Sequence, residues 1–194
     1  TLYLTYGPDG QVWIIDWYDA NQCHRPEEGA HDKTNGRIYR VVYSDAKPVP
    51  VDLPQASDVE LARMTDNAND WHVRHARRLL QERAAAGTIS DGTVRQRLLL
   101  PGVDPDGRLR ALWALHVIGD HWLRDELTVE RLLQDSSPWV RAWALQLLGE
   151  DLAAAGPGEK LLHVLGEMAR TDPSPRVRLS LASLVGRLPL EQRW

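Results

Sequence analysis

Two acids flank an aromatic pair in Asp16-Trp17-Tyr18-Asp19. Carboxylates so placed can take a proton or hold a cation, which makes Asp16 and Asp19 the candidate catalytic positions. The competing reading packs Trp17 and Tyr18 at a sheet edge and leaves the acids to brace the loop that follows. That loop carries Cys23, His24, His31 and Asp32, which include ligand types for zinc or copper. Their spacing matches no standard metal motif, so His24, His31 and Asp32 are metal candidates by residue type alone, beside the plainer reading of a solvated loop. Lys33 and Arg37 could meet an anion; alternatively Thr34-Asn35-Gly36 is a turn that Arg37 ties down. His72 and His75 are three apart and share one helix face, but no Glu-x-x-His pattern accompanies them. A contact between helices suits them better than a metal. Arg77, Arg78 and Arg83 make a local basic face that Glu82 dilutes. Trp113 and Trp143 read as packing residues, and Trp139, beside Pro138 in a turn, is the candidate for contact with a partner. No complete nucleophile, metal or cofactor constellation is legible.

A second set of charged residues repeats. Aspartate is followed six residues later by arginine in Asp104/Arg110, Asp135/Arg141 and Asp172/Arg178. Each arginine follows an aliphatic residue and precedes an apolar run: 111–119, 142–149 and 179–186. Arg74 begins a fourth copy, with Ala68 where the acid would be. The arginines are 36, 31 and 37 residues apart. Repeats of that length reading helix–turn–helix predict an α-solenoid of about four HEAT-type pairs over 57–194. One amphipathic pair cannot bury its own apolar face, so pairs must stack. The aspartate can cap a second helix, while the arginine can reach turn carbonyls or the next aspartate. Arg74, Arg110, Arg141, Arg178, Asp104, Asp135 and Asp172 are therefore read as structural. Ser57-Asp58-Val59-Glu60 is a capping box for the first helix, and Gly87 suits the end of the second. Further first helices are expected at 91–100, 126–134 and 158–170.

Composition separates this part from the start of the chain. All five tyrosines fall within the first 43 residues. There, Leu2–Tyr6, Val12–Trp17 and Ile38–Tyr43 read as strands, the first two joined by the turn Gly7-Pro8-Asp9-Gly10. Residues 1–46 then form a small antiparallel β segment, too small to stand alone, and 47–56 a proline-rich extended linker. The net charge of −4 gives no overall field for nucleic acid, leaving a DNA-binding HEAT-like protein as a minor alternative. No apolar run reaches the length of a membrane span, and one cysteine excludes an internal disulfide.

Gly7-Pro8-Asp9-Gly10, Asp16-Trp17-Tyr18-Asp19, the stretch from His31 to Arg40 and the stretch from Asn69 to Arg78 together resemble the membrane-bound dehydrogenase family of planctomycete-type bacteria. That family is similar to glucose/sorbosone dehydrogenases in its β-propeller, which HEAT-like repeats and often a c-type cytochrome domain follow. The resemblance implies that the strands are the last blade of an incomplete propeller and that the chain is part of a longer oxidoreductase. It implies a quinone cofactor and haem c in that parent, with none held by this chain, and residence in the periplasm or cell envelope. The partners implied are the other blades and the cytochrome domain. The alternative function, drawn from the residues alone, is a non-catalytic scaffold for protein partners.

Overall fold

The computed structural model describes residues 3–16, 26–32, 34, 36–45, 47, 49–89, 91–99, 104–119 and 125–193. Three short strands come first: β1 (Tyr3–Tyr6), β2 (Val12–Ile15) and β3 (Ile38–Val41). They form an antiparallel sheet in the order β1-β2-β3, with Leu4 opposite Ile14 and Ile14 opposite Tyr39. The turn between β1 and β2 closes where Gly10 N–H donates to the Gly7 carbonyl, and Gly10 takes φ +76°, a value glycine accepts without strain. Asp9 stiffens it by accepting from the Gln11 amide at 3.0 Å and pairing with Arg40 at 3.3 Å.

Because side chains alternate along a strand, Leu4, Tyr6, Val12, Ile14, Tyr39 and Val41 share one face. Every one is apolar or aromatic, and Leu4 and Val41 are more than half exposed. The opposite face is little more polar, with Ile38 70% exposed.

The rest is helical. Among the described residues there are eight α-helices: α1 (Asp58–Met64), α2 (Asp70–Ala85), α3 (Asp91–Leu98), α4 (Pro105–Val117), α5 (Glu126–Leu133), α6 (Pro138–Ala155), α7 (Glu159–Thr171) and α8 (Pro175–Val185). Ser57 opens α1 with a full capping box: its hydroxyl accepts from the Glu60 amide, and Glu60 accepts from the Ser57 amide. These contacts hold the Glu60 carboxyl below its usual pKa, the Ser57 hydroxyl contributing most. After α2, Gly87 takes φ +67° and Thr88 N–H returns to the Arg83 carbonyl, closing off the helix. The helices α4, α6 and α8 begin several residues before the apolar runs at 111, 142 and 179. Proline occupies the first turn of each, where its missing N–H costs nothing.

Helix α1 packs on α2, α3 on α4, α5 on α6 and α7 on α8. The even helices then contact one another in succession, α2 on α4, α4 on α6 and α6 on α8, and α1 also packs on α3. One apolar core runs through them, including Leu61, Leu80, Leu112, Leu115, Leu145 and Leu148. The chain is thus mainly helical with a small antiparallel sheet. No described helix is long and apolar enough to cross a membrane.

The proline-rich stretch is not extended throughout. A 3-10 turn at Leu53–Gln55 buries Leu53 and packs on α2. Arg83 holds it there, donating to the Pro54 carbonyl and to the Asp58 carboxylate. At the other end, Leu190–Gln192 forms a 3-10 turn. Arg193 donates to the carbonyls of Leu188 and Gly186, and Pro189 and Gln192 lie against Gly156.

Candidate functional site

The charged residues that the structure gathers into a pattern lie where α2, α4, α6 and α8 begin. The local sequence dictates the geometry. Asp135 and Asp172 each stand two residues before an N-cap serine and accept that serine's amide, Ser137 or Ser174, at 2.8 Å. Proline follows each serine, and arginine is the fourth residue of each helix: Arg141 in α6 and Arg178 in α8. Each arginine reaches back along its own turn. Arg141 Nη1 donates to the Asp135 carbonyl, and Arg178 Nη1 to the Asp172 carbonyl, both at 2.7 Å.

The remaining nitrogens of Arg141 go forward. Nε and Nη2 donate to the two oxygens of Asp172 at 2.8 and 2.9 Å, a bidentate tie from one helix pair to the next. It is well shielded, the two side chains being 12% and 6% exposed. The Arg141 bonds lower the Asp172 pKa; burial opposes the shift but does not overcome it.

The same tie occurs one pair earlier, but from Arg108. Its Nε and Nη2 donate to Asp135 at 2.7 and 2.9 Å. Burial works to raise the Asp135 pKa, yet the bonds from Arg108 and the Ser137 amide leave it lowered. Arg110, the residue singled out by the six-residue spacing, points the other way, to the Asn67 carbonyl at 3.2 Å and to Asp70 at 2.5 Å. Asp104 is itself the N-cap of α4, accepting from Gly107 and Asp106; the Gly107 bond contributes most to lowering its pKa. The signal that would have found Arg108 is proline: aligning Pro105, Pro138 and Pro175 brings Arg108, Arg141 and Arg178 into register.

At α2 the pattern changes use. Asn67 accepts the Asn69 amide at 2.8 Å, as the aspartates do elsewhere, and Asn69 caps the helix by accepting from Trp71. The Asn69 amide group also donates to the carbonyls of Gly7 and Pro8 at 3.0 and 3.2 Å. His72 Nε2 donates to the Pro8 carbonyl at 3.2 Å, and Arg74 stacks over Tyr6 at 5.0 Å. Arg74 therefore serves the junction between sheet and helices. His75 stacks on Trp71 and donates Nδ1 to its carbonyl.

Aromatic contacts also cross the even helices. Arg77 lies 5.4 Å over the Trp113 ring, which meets Trp143 edge to face at 5.1 Å. At the turns, Arg176 sits 3.6 Å over Trp139, which stays half exposed. On the odd helices, Arg95 pairs with Asp125 at 3.1 Å, and Lys160 bridges Glu126 and Glu130 at 3.0 and 2.6 Å. That bridge rims a cavity of about 270 Å³ floored by Val129, Leu133 and Leu161.

The chemical candidates do not converge. Asp16 follows β2, and its amide donates to the Arg37 carbonyl at 3.0 Å. Asp19, Cys23 and His24 lie outside the described residues. Asp32 accepts from the amide and hydroxyl of Thr34 at 2.9 and 2.6 Å, the signature of a local turn. His31 is partly buried nearby. Among the described residues, no group of three histidine, cysteine or acidic side chains is placed to hold a metal. No known family model matches the chain, and no curated protein or solved structure is significantly similar to it.

Proposed function

We propose that residues 57–193 are a HEAT-type α-solenoid and that the chain acts as a non-catalytic scaffold, carrying its small sheet on the first helix pair. The observation that carries this reading is the repeated forward tie, Arg108 to Asp135 and Arg141 to Asp172, between even helices that pack on one another in succession. In such an array each pair depends on its neighbours alone. Deleting residues 159–194 tests it. The shortened chain keeps the helicity and cooperative unfolding of α1–α6, read by circular dichroism and urea titration. Collapse of the whole helical signal would count against a solenoid.

A second reading is favoured by the sheet, whose two faces both leave large apolar side chains in water. In it, the sheet is a propeller blade seated against others, within a quinoprotein-like sugar or alcohol dehydrogenase that passes electrons to a haem domain. This chain then supplies a blade and a spacer. The test is dye-linked oxidation of sugars by a longer polypeptide that includes this sequence. Activity abolished by Asp16→Asn would support it; a folded, quinone-supplemented protein without turnover would dispose of it.

A further inference from the structure

The groove between α6 and α8 differs from the one before it in what fills it. Setting Pro105, Pro138 and Pro175 in register matches the residues of one groove to those of the next. Between α4 and α6, Trp113 meets Trp143 edge to face at 5.1 Å, and His116 Nε2 lies 3.2 Å from Glu150. Between α6 and α8 the same positions hold Gln146 for Trp113, Ser180 for Trp143, Gly149 for His116 and Arg187 for Glu150. Small and polar side chains thus replace the rings, and a cavity of about 240 Å³ opens between the helices. Gln146, Gly149, Ser180, Ser183 and Arg187 line it, with the buried Leu145 and Leu184 beneath.

Arg187 lies across Gly149. A Cβ there would stand 3.1 Å from Arg187 Cδ and 3.0 Å from Leu184 Cδ1, so only glycine lets the arginine stem cross α6 so closely. Among the described residues, no carboxylate lies within ion-pair distance of Arg187, and the Ser180 and Ser183 hydroxyls and the Gln146 side-chain amide have no hydrogen-bond partner. Glu150, next to Gly149, is turned to His116. A guanidinium among unused donors, with no acid in the lining, suits an oxyanion.

We propose that this groove binds a phosphate group, free or as the end of a small phosphomonoester. Arg187 supplies the opposing charge and forked N–H donors, and Ser180, Ser183 and Gln146 supply the remaining donors. These groups come from both walls of the groove, which matches three tetrahedrally directed oxygens better than the two coplanar oxygens of a carboxylate. The α4–α6 groove is filled from its own two walls, and here the same two walls provide every donor.

Inorganic phosphate titrated into the full chain at constant ionic strength tests this, read by amide and arginine Nε chemical shifts. Shifts should centre on Gly149, Ser180, Ser183 and Arg187 and saturate by roughly 10 mM. Glycerol 3-phosphate separates the two sources: tighter binding than inorganic phosphate assigns the groove to a phosphomonoester, and equal or weaker binding assigns it to the free ion. Arg187→Gln should weaken binding roughly tenfold or more. Ser183→Asp, which sets a carboxylate beside the guanidinium, should abolish it. Both positions are exposed, so the melting temperature without phosphate should stay within about 2 °C in each variant. The absence of saturable shifts at these residues, shifts that persist unchanged in Arg187→Gln, or acetate binding as well as phosphate would overturn the proposal.

Discussion

Asp172 receives Arg141 on both carboxylate oxygens and the Ser174 amide on one of them, at a site largely closed to water. A carboxylate so bound is expensive to protonate. Its folded pKa lies below the unfolded value of about 3.9, so its contribution to stability is fully present above that pH and is lost as pH falls through the folded pKa. Asp135 behaves the same way, through Arg108. Replacing Asp172 with Asn should therefore destabilise the protein at neutral pH and make its stability fall less steeply in acid. Urea midpoints measured from neutral pH down into the acid range check both. Arg141→Ala strands a buried carboxylate and should cost about 3 kcal/mol, the order expected for breaking one side of a shielded pair. By contrast, Arg78 and Glu82 form an exposed pair one helical turn apart, and Arg78→Ala should leave the urea midpoint essentially unchanged.

At the scale of elements, the helix starts do two tasks. They terminate backbone hydrogen bonding, and they place the side chains that join neighbours. Asn69 shows both: one side-chain oxygen caps α2 while the nitrogen holds the Gly7–Pro8 turn of the sheet. Asn69→Ala should cost about 1 kcal/mol of helix stability and also release the sheet, seen as faster amide exchange in β2 than in α6. Leu145 lies in the contact between α6 and α8 and is fully buried; truncation to alanine should cost about 3 kcal/mol in a chemical denaturation series. Most of these elements were legible in the sequence, because turn glycines, a capping box and apolar periodicity are local signals. The strands and first helices fall within a few residues of expectation. The register of the repeat was less legible. An aspartate–arginine spacing of six picks Arg110, yet the second helix starts at Pro105, two residues nearer its aspartate than in the later repeats, and Arg108 takes the tie. Side-chain direction depends on where the helix begins, and proline marks that point better than charge does. Asn67 was hidden for another reason: it stands seven residues before Arg74, so a spacing of six lands on Ala68 instead. The junction of Asn69, His72 and Arg74 with the sheet joins residues more than 60 positions apart, a distance over which periodicity carries no information.

For the whole molecule, the proposed solenoid implies an almost one-dimensional arrangement of energy. The even helices meet in order, each joined to the next by packing and an arginine–aspartate tie at the later steps. The apolar core is continuous, but no single helix reaches all of it. Among the described residues, the sheet meets α2 through the Gly7–Pro8 turn and the Arg74–Tyr6 contact, while large apolar side chains on both its faces remain open to water. The most direct test is a pair of double-mutant cycles on the full chain, read by urea denaturation. Arg141→Ala with Asp172→Ala should show a coupling of about 1 to 3 kcal/mol, and Arg108→Ala with Asp172→Ala, which are not neighbours, should add to within about 0.5 kcal/mol. Independent Arg141 and Asp172, or strong coupling between Arg108 and Asp172, would contradict the stack of nearest-neighbour pairs.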